Sequence, residues 1–597
     1  MGNEAMAYGA VEAGVQVAAG YPGTPSSEIL ATLARLSRNM GFYAEWSVNE
    51  KVALEVAAGA ALAGARSIVT MKQVGLNVAA DPLMSLAYLG VKGGMVVVSA
   101  DDPGPHSSQN EQDTRLFGRF AKLPVLDPAT PAEAKAMMRE AFELSERTGL
   151  PVILRPTTRV CHACQEVEVA ETLYAPVRTA YFEKSLDWVI LPRTAAKKHP
   201  LLNAKQEILA RLFAESPFNR MEIAGRVGVI AGGLSDNYVR EALEALGAEV
   251  SLLKIGTPYP LPEKLVVEFL RQVDRVLVVE EQEPVIEEQV VAAAYRQGLT
   301  LEIVGKRGGF VPREGELNVD RVAAALRRFL GLEAFPVAER PTPPELPLRG
   351  PVLCAGCPHR ASFYMLRQAV RELGVDAVFN GDIGCYTLGA FPPLEAVDTC
   401  LCMGASVSMA AGMQRAEPGR KHIAVLGDST FFHNGIPGLI DAVYNQTDIT
   451  VVILDNRTTA MTGHQPHPGT GRTAGGEPGE TVDIPALVRA CGVRCLVEAD
   501  PVIPTAAMRA LKEAISFTGP AVVIMRHTCA ALKRGGPRFT VNAADCEDCG
   551  TCYRDLGCPA IFLEDGRPSI VTDKCAGCGF CLRLCPSKAI TRVGTAS

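Results

Sequence analysis

Eight cysteines stand in two tandem runs near the end of the chain: Cys546, Cys549, Cys552 and Cys558, then Cys575, Cys578, Cys581 and Cys585, with Pro559 and Pro586 behind the last of each. Three thiolates two residues apart can wrap one face of an iron–sulfur cubane, and a distant fourth closes it. Only the second run keeps the C-x2-C-x2-C-x3-C-P spacing; the first has five residues before its fourth cysteine. With the fourth ligand crossing between runs, Cys546, Cys549, Cys552 and Cys585 form one [4Fe-4S] set, and Cys575, Cys578, Cys581 and Cys558 the other. A double zinc ribbon competes with this reading, but zinc ribbons use paired rather than tripled cysteines. A chain with such sites handles single electrons.

A second group of residues bears on where the electrons arise. Gly427-Asp428-Ser429 leads into a helix-forming stretch through Asn445, and the strand Thr450 to Leu454 then ends in Asp455-Asn456. The 25 residues between Ser429 and Asp455 suit one βαβ crossover, which puts both motif ends at the carboxyl edge of neighbouring parallel strands. An aspartate and an amide oxygen there suit a hard divalent cation that also grips a diphosphate. The run Arg457-Thr458-Thr459-Ala460-Met461-Thr462-Gly463-His464-Gln465 follows, and His433, His464 and His467 flank the predicted pocket, where they can move protons. Near the N-terminus lie the turn Tyr21-Pro22-Gly23-Thr24-Pro25-Ser26 and the strand-to-helix junction Val48-Asn49-Glu50-Lys51. Cys354 and Cys357 form a C-x2-C pair, while Cys161, Cys164, Cys400, Cys402, Cys491 and Cys495 read as structural thiols.

These residues need scaffolds. At 597 residues and roughly 100 to 200 residues per domain, three to five domains are expected. Residues 1–165 alternate Ala/Gly-rich helical stretches with short apolar strands, as in a doubly wound α/β domain. Residues 166–223 read as an irregular, charge-rich connecting segment. A second α/β domain spans 224–340, a Pro-rich linker 341–351, a third α/β domain 352–538, and an α+β module with the two cysteine runs 539–597. A formal net charge of -7 weighs against nucleic acid as a partner. No basic leader precedes the first helical stretch, and no apolar run approaches the ~18 residues of a membrane span. Eighteen cysteines under those conditions point to a cytoplasmic protein whose reduced thiols hold metal, and to chemistry that dislikes oxygen.

The Gly427-Asp428…Asp455-Asn456 pair resembles the GDG…NN motif of thiamine diphosphate enzymes, and the cysteine module resembles bacterial two-cluster ferredoxins. The LDN…TAMTG run, the YPGTPS turn and the glutamate at position 50 resemble the 2-oxoacid:ferredoxin oxidoreductases. The likeness covers essentially the whole chain and is to the large subunit of the indolepyruvate-oxidising members. It implies thiamine diphosphate with Mg2+ held by Asp428, the Asn456 side chain and the Thr458 carbonyl, with Gly427, Ser429, Met461 and Thr462 as further cofactor contacts. Glu50 would share a proton with the aminopyrimidine, Thr24 would touch substrate or cofactor, and His464 would carry protons. Cys354, Cys357, Cys385 and Cys529 would bind a third, proximal [4Fe-4S] cluster, and residues 224–340 would resemble a transketolase C-terminal domain. The implied reaction is oxidative decarboxylation of arylpyruvates, indole-3-pyruvate foremost, with coenzyme A. It yields an arylacetyl-CoA and CO2, sends electrons singly to ferredoxin, and uses a smaller β subunit in an αβ or α2β2 assembly. Another 2-oxoacid specificity, a non-oxidative thiamine-dependent decarboxylase, and an electron-transfer scaffold with inert α/β domains are the competing readings.

Overall fold

The computed structural model describes residues 1–170, 180–332, 344–346, 350–533 and 535–593. The chain divides into two compact units, Met1–Thr342 and Pro343–Ser597.

The first unit holds two sheets. Runs such as Ile68-Val69 and Val96-Val97-Val98 are buried without alternation, the signature of strands covered on both faces. They build a parallel six-stranded sheet in the order Tyr43–Trp46, Val17–Gly20, Ser67–Lys72, Met95–Ala100, Val152–Leu154, Val125–Leu126. The first strand in sequence thus lies between the second and third, so the chain leaves it in both directions. A crevice opens at the carboxyl ends of strands at such a switch point. Helices between the strands start where sequence chemistry dictates. Asn49 caps Glu50–Leu62 by accepting from the Val52 N–H at 2.9 Å, and Thr130 with Pro131 opens Pro131–Thr148.

The second sheet runs Glu302–Val304, Arg275–Val279, Val227–Gly232, Ser251–Ile255, with Arg220–Glu222 added antiparallel at the edge. Buried charges tie its loops to those of the first sheet. Arg115, fully buried, donates to Glu280 at 2.7 Å and to the Glu283 carbonyl at 2.9 Å, and Arg155 donates to the Gln282 side-chain oxygen.

The segment 166–223 differs from its irregular reading. Beyond residue 179 it contains a 23-residue helix, Pro192–Ala214. Pro200 inside it, a charged surface and a buried face of only Thr194, Leu202, Leu209 and Phe213 hid its periodicity. The Pro-rich stretch 341–351 falls largely outside the described residues.

In the second unit, a wholly parallel sheet runs Ala377–Asn380, Lys421–Gly427, Ile449–Asp455, Ala521–Arg526, Cys495–Ala499. The cysteine module has two small antiparallel pairs, Phe539–Val541 with Ile590–Arg592 and Ile561–Glu564 with Arg567–Ile570. Its core is four residues, Phe539, Ile561, Ile570 and Ile590, packed against cysteines. So small an apolar core needs metal or a similar crosslink to hold it. Among the described residues no helix is long and apolar enough to cross a membrane.

Candidate functional site

The strands Lys421–Gly427 and Ile449–Asp455 are adjacent and parallel, with Gly427 opposite Leu454, so Asp428 and Asn456 emerge side by side at the carboxyl edge. Asp428 is buried and accepts from the N–H groups of Ser429 at 2.9 Å and Arg457 at 2.8 Å. Its Oδ2 also lies 3.0 Å from His467 Nε2. His467 Nδ1 accepts from the Gly469 N–H at 3.1 Å, which leaves the proton on Nε2 to be donated to Asp428. Burial pushes the Asp428 carboxyl up, but His467 and the two backbone donors outweigh it and hold it below the usual carboxylate range. Asp428 is therefore an anion in a dry pocket. Asn456 Oδ1 accepts from the Thr458 N–H at 3.1 Å, and the Thr459 hydroxyl donates to Ser429 Oγ at 2.9 Å, pinning the 456–459 turn to the Asp428-Ser429 turn. One carboxylate, one amide oxygen and nearby backbone carbonyls form a hard-oxygen donor set of the kind Mg2+ takes.

The loop beyond this turn sorts the remaining candidates. The Thr462 hydroxyl donates to Gln465 Oε1 at 2.6 Å, Met461 is half exposed, and His464 sits exposed in the left-handed region at φ 66. The structure thus brings His467, rather than His464, to Asp428. His433 is buried in the π turn Phe431–Gly435 that follows Thr430. A histidine that sequence reading passed over, His359, lies with Nε2 3.1 Å from Asn456 Nδ2, so the ring can accept from the amide. Burial pulls its pKa down to about 4 against the opposing pull of Asp428, so it is neutral at neutral pH. Its only sequence signal was its place two residues after Cys357.

The cysteines fall into three groups. Cys546, Cys549, Cys552 and Cys585 line one small cavity, and Cys558, Cys575, Cys578 and Cys581 line another. Both groupings pair three cysteines of one run with the last of the other. In the third group, Cys385 has Cys354 and Cys529 as neighbours, and Cys357 has Cys354. Burial pushes the Cys357 thiol up to about 12 and those of Cys385 and Cys552 to about 11. A metal must displace those protons to bind. Among the described residues no three His, Cys, Asp or Glu side chains are grouped closely enough to hold a single metal ion; the sulfurs of the C-terminal module line cavities instead. All eighteen cysteines are free of disulfides.

The third group is laced to the Asp428 turn. The Cys529 N–H donates to the Asn456 carbonyl at 3.0 Å, and His359 joins Cys357 to the Asn456 side chain. Tyr386, next to Cys385, shares a 2.8 Å hydrogen bond with the Thr430 hydroxyl. Gly427 and Gly384 are required here, since a Cβ on either would strike the Tyr386 ring at 2.6 or 2.4 Å.

In the first unit, Glu50 is buried at the first turn of its helix, and Gly75 leaves space for its carboxylate: a Cβ there would lie 2.6 Å from Glu50 Oε1. Thr24 lies in the turn after the first strand, where its carbonyl accepts from the Ser107 hydroxyl at 3.5 Å. Lys72, at the end of the neighbouring strand, donates to the Ser107 carbonyl at 3.1 Å. Burial lowers the Lys72 pKa, opposed by Asp102 and Glu50. Thr24, Glu50 and Lys72 therefore gather at the switch point of the first sheet.

Four family descriptions match in succession: pyruvate flavodoxin/ferredoxin oxidoreductase, thiamine diphosphate binding, over residues 8–187; indolepyruvate oxidoreductase domain over 220–336; the C-terminal TPP binding domain of thiamine pyrophosphate enzymes over 382–525; and a 4Fe-4S binding domain over 568–591. Indolepyruvate oxidoreductase subunit IorA of Archaeoglobus fulgidus is 47% identical, covering 99% of this chain and 96% of its own length. The subunits of the same name from Methanothermobacter marburgensis and Pyrococcus horikoshii are 45% and 42% identical, covering 100% and 99% of this chain and 97% and 96% of their own.

Proposed function

The chain belongs to the indolepyruvate oxidoreductase family, thiamine-dependent enzymes of the 2-oxoacid:ferredoxin oxidoreductase type, and from that premise we propose that it oxidises arylpyruvates, indole-3-pyruvate foremost. Arylpyruvate, coenzyme A and two oxidised ferredoxins give arylacetyl-CoA, CO2, two reduced ferredoxins and a proton. The observation that carries this reading is the lacing of Cys354, Cys357, Cys385 and Cys529 to the Asp428–Asn456 turn through Cys529 N–H and His359. A group that accepts electrons singly belongs beside the place where they are released.

Thiamine diphosphate, when bound, supplies a nucleophilic carbon and an electron sink. The chain's residues do the rest. Asp428, Asn456 and the Thr458 carbonyl are proposed to hold Mg2+, the Asp428 charge being kept in place by the His467 N–H. Gly427, Ser429, Met461 and Thr462 form the adjoining walls. Glu50 holds the proton shared with the aminopyrimidine, in a pocket that Gly75 leaves open. Thr24 and Lys72 present a hydroxyl and an ammonium beside Glu50, donors suited to a 2-oxoacid carboxylate. The two cavities of the cysteine module are proposed to hold one [4Fe-4S] cluster each and the Asp428-linked set a third. A smaller partner subunit is inferred from the subunit name of the relatives, and a reducing cytoplasm from the eighteen free cysteines.

The test is anaerobic ferredoxin reduction with a panel of 2-oxoacids, with and without coenzyme A. The reading predicts CoA-dependent reduction fastest with indole-3-pyruvate; aldehyde release without ferredoxin reduction would replace it with a non-oxidative decarboxylase.

A further inference from the structure

Arg360 is a cation placed where cations are costly. It is 5% exposed, and its guanidinium donates to three neutral carbonyls: Leu353 at 2.6 Å, Leu556 at 3.0 Å and Gly557 at 2.7 Å. No carboxylate accepts from it among the described residues, and its Nε is buried without a partner. A buried guanidinium without a counter-anion is destabilising, because buried charges demand pairing. The groups around it that become anions on binding metal are thiols. Cys558, Cys357 and Cys354 are its sulfur neighbours, and it lines one cavity with Cys357, Cys558, Cys578 and Cys581.

Its bonds reach both cysteine groups through the backbone. Leu353 precedes Cys354, and Leu556 and Gly557 precede Cys558. Cys357 caps the helix Pro358–Leu373, and its carbonyl accepts from the Arg360 N–H at 3.2 Å. Gly557 sits at φ 61 with space for a Cβ filled by Pro393 at 2.6 Å, so the turn carrying Cys558 is closely held against this arginine.

We propose that Arg360 is a positioning residue shared by two iron–sulfur sites, that of Cys354, Cys357, Cys385 and Cys529 and that of Cys558, Cys575, Cys578 and Cys581, fixing their approach and raising the reduction potentials of both. The proposal rests on the reading that each set holds a [4Fe-4S] cluster. Reduction adds negative charge to a cluster, and a guanidinium beside it in a dry setting favours that reduced form.

The experiment is an EPR-monitored redox titration of the anaerobically purified holoenzyme and its Arg360→Gln and Arg360→Lys variants, after iron and sulfide are counted. Wild type should carry about twelve irons per chain, four for each cluster. A count of about eight would remove the third cluster, and with it the bridge, before any variant is compared. Arg360→Gln should make the two flanking clusters at least tenfold harder to reduce, 59 mV for a one-electron couple, and leave the Cys546, Cys549, Cys552, Cys585 cluster in place. Arg360→Lys, which keeps the charge, should recover most of the shift. Unchanged potentials in Arg360→Gln, an equal shift in all three clusters, or a Lys variant displaced as far as the Gln variant would overturn the proposal. Should Arg360→Gln bind less iron than wild type, the Lys variant decides: potentials near wild type support the proposal, and a tenfold shift overturns it.

Discussion

Gly75→Ala tests the placement of Glu50 without touching the carboxylate itself. A Cβ at Gly75 would stand 2.6 Å from Glu50 Oε1, 2.7 Å from Cγ and 2.9 Å from Cδ. Ordinary contact begins near 3.5 Å, so Glu50 must retreat by roughly 0.6 to 0.9 Å. Three successive side-chain atoms are met, so turning the carboxylate tip does not relieve the clash. Glu50 also opens a helix whose start is fixed by the Asn49 cap. A displacement of about 1 Å in a positioned group costs about 100-fold in rate, so a fall in kcat of roughly 10- to 100-fold is predicted. Stability should fall by no more than about 2 kcal/mol: alanine improves on glycine in a helix by about 1 kcal/mol, while overpacking costs about 1 to 3 kcal/mol. Steady-state ferredoxin reduction and a thermal melt separate the two effects. In a Glu50→Gln background the same substitution should add less than about threefold, because its target has already lost its function. A kcat within twofold of wild type, or an undiminished effect in the Glu50→Gln background, would refute the role assigned to Glu50.

The crossing of cysteines between runs is tested by Cys558→Ser and Cys585→Ser. Cys558→Ser should disturb the EPR signal of the cluster held by the second run, and Cys585→Ser that of the first, each confirmed by iron count; the reverse pattern would mean that each run keeps its own fourth ligand. Glu281, buried against the Leu317 N–H, is pushed up to about 7 by burial. Its folded state holds a proton that the unfolded chain releases near 4.5, so stability is lost as pH rises from about 4.5 through 7. Glu281→Gln removes this loss and should raise stability above pH 7 by on the order of 1 to 3 kcal/mol with little change at pH 4, measured by denaturant unfolding; a variant less stable than wild type at pH 8 would contradict it.

Much of the parallel sheet framework is legible in the chain because strands covered on both faces must be apolar throughout, as at Val96-Val97-Val98 and Ile453-Leu454. The neighbouring positions of Asp428 and Asn456 follow from the length of one crossover. The helix Pro192–Ala214 was hidden because its buried face is only four residues wide. What escaped at the site depends on contacts between distant segments. Gly75 matters through a side chain 25 positions away, His359 through an asparagine 97 positions away, and Arg360 through carbonyls 196 and 197 positions away. No local pattern carries such information. The choice among His433, His464 and His467 is of the same kind, since it is the Gly469 N–H that fixes the His467 tautomer and turns its other nitrogen to Asp428.

In the proposed function, carbon chemistry at the Asp428 turn is coupled to single-electron exit through cysteine-bound clusters. The most direct measurement is the stoichiometry of indole-3-pyruvate turnover by the anaerobic holoenzyme, with CO2, acyl-CoA and reduced ferredoxin quantified together. One indoleacetyl-CoA and two reduced ferredoxins are expected for each CO2. Release of CO2 with indoleacetaldehyde and no reduced ferredoxin would contradict it.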